Sequence, residues 1–261
     1  MTDITLSLKS GRRLAKIKGG QFNDTIIYLL DKRKSKKLLM DKSNDNYISL
    51  KEKNEYFQQM PNNEDQNSDV LFCCGRRGSG KTYYIAEYLK QYILSFPKNK
   101  IYLFSLCKDD ALLNKLITKQ IDIDEFTEEG GMKHDDLPDD CCCIFDDIDV
   151  CDDGKQKKLL FHLMNSLIQL SRKRNITVIQ TSHLGRNHGE TKNGLNGASS
   201  YTFFYGSISH QIKDTLKIYL GLSQENIKKI LNLKDSRYCT IFTTSPPVVM
   251  TEKEIIILDN N

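Results

Sequence analysis

No stretch of the 261-residue chain approaches the roughly 18 consecutive apolar residues that a membrane-spanning helix needs. The opening MTDITLSLKSGRR lacks the apolar segment of a secretory signal. Both absences lead to the expectation of a protein that stays on the cytosolic side. Strong net charge is missing as well: 38 Lys and Arg against 34 Asp and Glu leave +4, so a polyanionic partner must be met by local patches. Eight cysteines are present but no C-x-x-C pair. Cys73-Cys74 and Cys141-Cys142-Cys143 lie in apolar runs, which reads as small buried hydrophobes in a reducing compartment and not as zinc ligands or disulfides.

What is there falls into two parts, with an expected boundary near residue 62. Residues 1–62 hold β-forming residues around the Gly19-Gly20 turn, then the basic run KRKSKK at 32–37, either a solvated face or a phosphate contact, and lead into the polar linker PNNEDQNSD at 61–69. Residues 63–261 alternate strand and helix. Apolar runs at 70–74, 100–106, 141–146 and 176–182 read as buried strands. Helices are expected at 81–95, 111–119 and 156–171, with an acidic, loop-like connection through DDLPDD. Strands without polar alternation, separated by helices, predict an α/β fold with a mainly parallel sheet covered on both faces, plus a small N-terminal β appendage. Further on, a strand at YTFFYG, helices at 209–220 and 224–233, and strands at 237–243 and 254–258 complete the expected domain. Tyr201, Phe203, Phe204 and Tyr205 read as core in preference to a base-stacking surface.

The most informative stretch is CCGRRGSGKTYY. Gly75-Arg76-Arg77-Gly78-Ser79-Gly80-Lys81-Thr82 matches G-x-x-x-x-G-K-[ST] at every fixed position and sits between an expected strand and an expected helix. Glycines let the backbone wrap closely with its N–H groups inward, and the helix start adds a positive dipole end. The pattern assigns ATP binding to residues 75–82, with Lys81 on the β- and γ-phosphates and Thr82 on Mg²⁺.

Hydrolysis needs two further carboxylates, one for the metal and one to polarise water. CCCIFDDID supplies Asp146 for Mg²⁺ and Asp147 for the water, the latter one methylene shorter than a glutamate; capping of the following helix is the competing role for both. Asp149, Asp152 and Asp153 read as a solvated acidic loop in preference to further metal ligands.

GRRGSGKT, CIFDDI and LSRKRNITVIQTSH, in that order, resemble the genome-packaging ATPases of large eukaryotic DNA viruses and virophages, the poxvirus-type branch of the FtsK/HerA P-loop superfamily. The resemblance covers about residues 65–258 and includes DSRYCTIFTTSPPVVM. It implies an ATP-hydrolysing, sequence-independent translocase of double-stranded DNA, working as a pentameric or hexameric homo-oligomeric ring. The setting it implies is the host cytoplasm (viral factory) or the virion, with viral capsid or membrane proteins as further partners. It also implies Arg172 as an arginine finger, against a helix-terminal arginine facing the dipole, and His183 as γ-phosphate sensor, with Gln180 as the other candidate. The segment 184–200, too polar for core, either faces DNA or is a surface loop.

Two rival readings stand beside this one. A P-loop kinase of small molecules or nucleosides needs an acceptor pocket and an arginine-rich lid, and residues 184–200 hold one arginine. A nucleotide-gated assembly scaffold that binds ATP without turnover is the other, supported by aspartate at 147 and histidine at 183.

Overall fold

The computed structural model describes residues 4–31, 46–62, 68–107, 110–183, 191–233 and 235–259. The basic run at 32–37 lies outside them. Four strands, β1 (Ile4–Ser7), β2 (Arg12–Lys18), β3 (Ile26–Asp31) and β5 (Tyr56–Gln59), form an antiparallel sheet in the order β1-β3-β2-β5. The expected hairpin around Gly19-Gly20 is β2–β3, and both glycines have positive φ, at 81° and 63°.

The larger sheet has ten strands. Its parallel part comprises β6 (Val70–Cys74), β7 (Lys100–Ser105), β8 (Lys119–Ile121), β9 (Cys141–Asp146), β10 (Thr177–Ser182) and β11 (Ser200–Phe204), in the order β11-β6-β10-β9-β7-β8. An antiparallel extension continues from β11 through β12 (Tyr238–Phe242), β13 (Val248–Thr251) and β14 (Glu254–Ile257) to β4 (Tyr47–Ser49). Helices α1 (Lys81–Ser95), α2 (Ile123–Glu128), α3 (Gly154–Arg174), α4 (Lys192–Gly197), α5 (His210–Asp214, running into a π-turn at Thr215–Tyr219) and α6 (Gln224–Asn232) complete the domain.

The apolar strands are buried as their sequence requires. Cys141, Cys142, Cys143, Ile144 and Phe145 are all fully buried: Cys143 and Phe145 face α3, Cys142 and Ile144 face α1. All eight cysteines are free and all but Cys107 are buried. Tyr201, Phe203 and Phe204 are core residues, as expected.

Four expectations need correction. Residues 111–119 form successive turns and then β8, not a helix. The Asp110 carboxylate accepts from the N–H groups of Leu112 and Leu113, while Thr118 Oγ1 accepts from Ile101 N and draws the chain to the sheet edge. The connection before β9 contains α2, capped by the Asp122 carboxylate on Asp124 N and Glu125 N. In the polar segment 184–200, the described residues 191–200 carry α4, with Gly194, Leu195 and Ala198 buried. Finally, the boundary near residue 62 is not clean, because β4 adds an edge strand to the large sheet. Ile17, Ile27, Leu29 and Phe57 of the small sheet also share a core with Phe242, Val248, Met250 and Ile255.

Candidate nucleotide site

β6 delivers the glycine turn at 75–82. Its last residue, Cys74, pairs in register with Ser182 at the end of β10, and Gly75 N donates to Ser182 O at 3.1 Å. The turn therefore begins beside the end of the neighbouring strand. Gly75 has no room for a side chain: a Cβ there would lie 2.5 Å from Ser79 Oγ and 2.9 Å from Phe204. Gly80, with φ of 103°, is a left-handed residue at the helix start that a side chain would strain. No side chain caps α1, so its first N–H groups stay available to an anion. Ser79 Oγ is buried without a hydrogen-bond partner. Arg76 N donates to Ser207 Oγ at 2.9 Å, which anchors the outer side of the turn to the segment after β11.

Lys81 opens α1 and is buried. Its Nζ donates to Gly75 O at 3.0 Å and lies 3.5 Å from Asp147 Oδ2. Thr82 follows, partly buried. Arg76 and Arg77 are exposed.

β9 delivers the acidic pair. Asp146 is its last residue; Asp147 adopts a left-handed conformation with φ 49° and ψ 34° that turns the chain out of the sheet. Neither acid caps α3. That role falls to Asp153, whose Oδ1 accepts from Lys155 N and Gln156 N, both at 2.8 Å. Burial pushes the Asp146 carboxyl above the usual carboxylate range, against the lowering effect of a hydrogen bond from Thr181, and the neighbouring Asp147 charge raises it further.

Two residues not expected in the site belong to it. Thr181, fully buried on β10, donates from Oγ1 to Asp146 Oδ1 at 2.7 Å, lies 3.1 Å from Asp147 Oδ1, and accepts from Asp147 N at 2.8 Å. Asp149 is drawn inward, contrary to its reading as solvated loop. Its Oδ2 accepts from Ser182 Oγ at 2.6 Å, its Oδ1 is buried and unpaired, and burial pushes its carboxyl up. Only spacing could have hinted at either: Thr181 and Ser182 are small hydroxyl residues where a parallel strand leaves the sheet.

His183 Nδ1 lies 3.5 Å from Asp147 Oδ2. One ligand atom from each of Asp147, Asp149 and His183 falls within 4.8 Å of the others. Gln180 takes a different direction. It is buried two residues further into β10 and packs beneath α4, where a Cβ on Gly194 would meet its Oε1 at 2.0 Å; neither of its amide atoms is hydrogen-bonded.

Arg172 is exposed on the last turn of α3 and has no hydrogen bond or ion pair among the described residues. Its neighbour Arg174 is committed to the fold: it donates to Asp139 Oδ1 at 2.6 Å and to the carbonyls of His134 and Leu137. Because α3 leads from the end of β9 back to the start of the parallel strand β10, Arg172 sits at the opposite end of the parallel strands from the turn at 75–82. A helix of 21 residues spans about 30 Å. The segment 184–190 lies outside the described residues.

The donor set fits a magnesium-bound triphosphate. Backbone N–H groups at a helix start and an ammonium suit phosphate oxygens, while a hydroxyl at Thr82 and a carboxylate at Asp146 are the hard oxygen ligands that Mg²⁺ prefers.

No family model matches the chain. It is 32% identical over 246 residues to protein V3 of Sputnik virophage, an alignment covering 94% of each chain. Among solved structures it is similar to the cytoplasmic domain of the type VII secretion ATPase EccC of Thermomonospora curvata, at TM-score 0.50 and 14% identity over 78% of this chain and 28% of that one. It is also similar to the genome packaging NTPase B204 of Sulfolobus turreted icosahedral virus 2 in complex with AMPPCP, at TM-score 0.47 and 14% identity over 71% and 98%. The fold is that of a P-loop ATPase, a large mixed sheet with parallel strands flanked by helices and a small antiparallel sheet beside it. At 32% identity over 94% of each chain, the protein belongs to the family of Sputnik virophage protein V3.

Proposed function

We propose that this protein hydrolyses ATP to drive double-stranded DNA into a viral particle, acting as a ring of identical subunits. The observation that carries the reading is the meeting of the phosphate turn and the acidic pair, Lys81 Nζ being 3.5 Å from Asp147 Oδ2. Residues 75–82 hold the triphosphate, with Lys81 on its terminal phosphates. Thr82 and Asp146 hold Mg²⁺, which when bound neutralises charge developing on the phosphoryl oxygens. Asp147 orients the attacking water, and His183 beside it contacts the γ-phosphate region. Gln180, buried under α4, is poorly placed for that contact, so of the two sensor candidates His183 is favoured.

Arg172 supports the ring. Exposed, unpaired among the described residues and at the far end of the parallel strands, it fits a role on a neighbour's nucleotide and not on its own. A guanidinium delivered to the transition state contributes about 10³ to 10⁵ in rate, and delivery between subunits couples firing to assembly. Membership of the family of a virophage protein and the packaging-ATPase motif order support the viral setting. No described helix is long and apolar enough to cross a membrane.

The test is phosphate release from ATP and Mg²⁺ with and without long duplex DNA. Stimulation by DNA supports the translocase. Transfer of phosphate to a nucleoside, without DNA stimulation, would establish the kinase reading instead.

A further inference from the structure

Thr181 makes more hydrogen bonds to the acidic pair than any other described side chain. Its hydroxyl oxygen accepts from the backbone N–H of Asp147 at 2.8 Å. The hydroxyl proton is directed to Asp146 Oδ1 at 2.7 Å, and Asp147 Oδ1 lies within reach at 3.1 Å. A hydroxyl has one proton to give, so it serves one carboxylate at a time while its oxygen holds the Asp147 backbone. The contact works because β10 and β9 are parallel neighbours: Gln180 pairs with Phe145, which leaves Thr181 level with Asp146, the last residue of β9, and next to Asp147, the first to leave it. Thr181 is also 1% exposed, and its burial strengthens these bonds.

Asp147 needs such an anchor. It is an aspartate in a left-handed backbone conformation, and with a short side chain its reach toward a water is set by where its Cα sits. Asp146 needs one as well. Two adjacent carboxylates repel, and a donated hydrogen bond to one fixes the outward direction of its second oxygen.

We propose that Thr181 is the positioning residue of this acidic pair, its hydroxyl holding Asp146 for the metal and the backbone of Asp147 for the water-orienting role. The inference rests on the ATPase reading, but part of its test does not require turnover.

The substitution is Thr181→Val, which keeps the shape and removes the hydroxyl, compared with Thr181→Ser, which keeps the hydroxyl. Affinity for a fluorescent ATP analogue is measured first in EDTA and then across a Mg²⁺ titration, followed by phosphate release. Thr181→Val is expected to bind the metal-free analogue within about twofold of wild type, to need about tenfold more Mg²⁺ for half-maximal tightening, and to lose about 10²-fold in kcat. Thr181→Ser is expected to restore both within about threefold. Should Thr181→Val not fold, Thr181→Ala takes its place in the same comparison. An unchanged Mg²⁺ midpoint in the variant lacking the hydroxyl overturns the proposal, as does a serine variant as impaired as the valine one. If wild type binds nucleotide but releases no phosphate, the ATPase reading fails while the Mg²⁺ midpoint still decides on Thr181.

Discussion

Tyr84 on α1 and Gln59 on β5 are hydrogen-bonded through the Tyr84 hydroxyl, so the helix that follows the phosphate turn is tied to the small N-terminal sheet. The same hydroxyl lies 2.8 Å from Thr240 Oγ1 and accepts from Thr202 Oγ1 at 3.3 Å, and Gln59 Nε2 donates to Ser200 Oγ at 3.2 Å. A second tie runs through buried Asp69, which takes bonds from Tyr88 and Asn62 and an ion pair from Arg12. Tyr84→Phe leaves Gln59 and Thr240 short of a partner in a buried network. It is expected to cost about 1–3 kcal/mol of stability, read from the urea midpoint, with metal-free nucleotide affinity nearly unchanged. A midpoint equal to wild type would show that the network contributes nothing.

Asp146 carries a stability cost that substitution should reveal. Its folded pKa is raised, first by burial, so the fold favours the protonated form. That contribution is present below the ordinary carboxylate range and is lost as pH rises through the folded pKa. At neutral pH, without metal, Asp146→Asn should raise Tm by about 2–4 °C, since the amide oxygen can still accept from Thr181. With Mg²⁺ and an ATP analogue the order should reverse, because only wild type gains from the metal. A lower Tm for the metal-free variant would contradict this.

Asp147→Asn separates a turning-over enzyme from a scaffold. Phosphate release should fall about 10²-fold or more, while analogue affinity stays within a few-fold. Equal rates in the two proteins would favour the scaffold.

Arg172→Ala should leave nucleotide affinity intact and abolish activity in the assembled state. Titrating the variant into wild type should depress activity faster than simple dilution, because a ring that fires in sequence stalls at each site whose neighbour lacks the arginine. Proportional loss would argue against sequential firing through Arg172, and a matching loss of ATP affinity would mark the residue as structural.

Much of this molecule was legible in its sequence, and for local reasons. The turn at 75–82 is specified by its glycines, Gly78 and Gly80 through their positive φ and Gly75 through the lack of room for a side chain, and the buried parallel strands by apolar runs such as Cys141–Phe145. Other elements depended on pairing that a single sequence does not display. β8 forms because Thr118 bonds to Ile101 N, and β4 joins the large sheet through residues about 200 positions away. Helix α4 hides in a glycine-rich polar segment because Gly194 lets its backbone rest on Gln180. In the site, Lys81, Asp146 and Asp147 followed from motif and spacing. Thr181 did not, since its role comes from the register of β10 against β9, and Asp149 was misread as solvated because nothing local shows that Ser182 reaches it.

The central claim is that the turn at 75–82 and the acids at 146 and 147 hold and split ATP with Mg²⁺. Its most direct test is phosphate release from ATP by wild type and Lys81→Ala, purified in parallel, with Mg²⁺ and with EDTA. The account predicts release by wild type that requires Mg²⁺, and a loss of at least about 10²-fold in Lys81→Ala. Equal release by both proteins, or release indifferent to Mg²⁺, would contradict it.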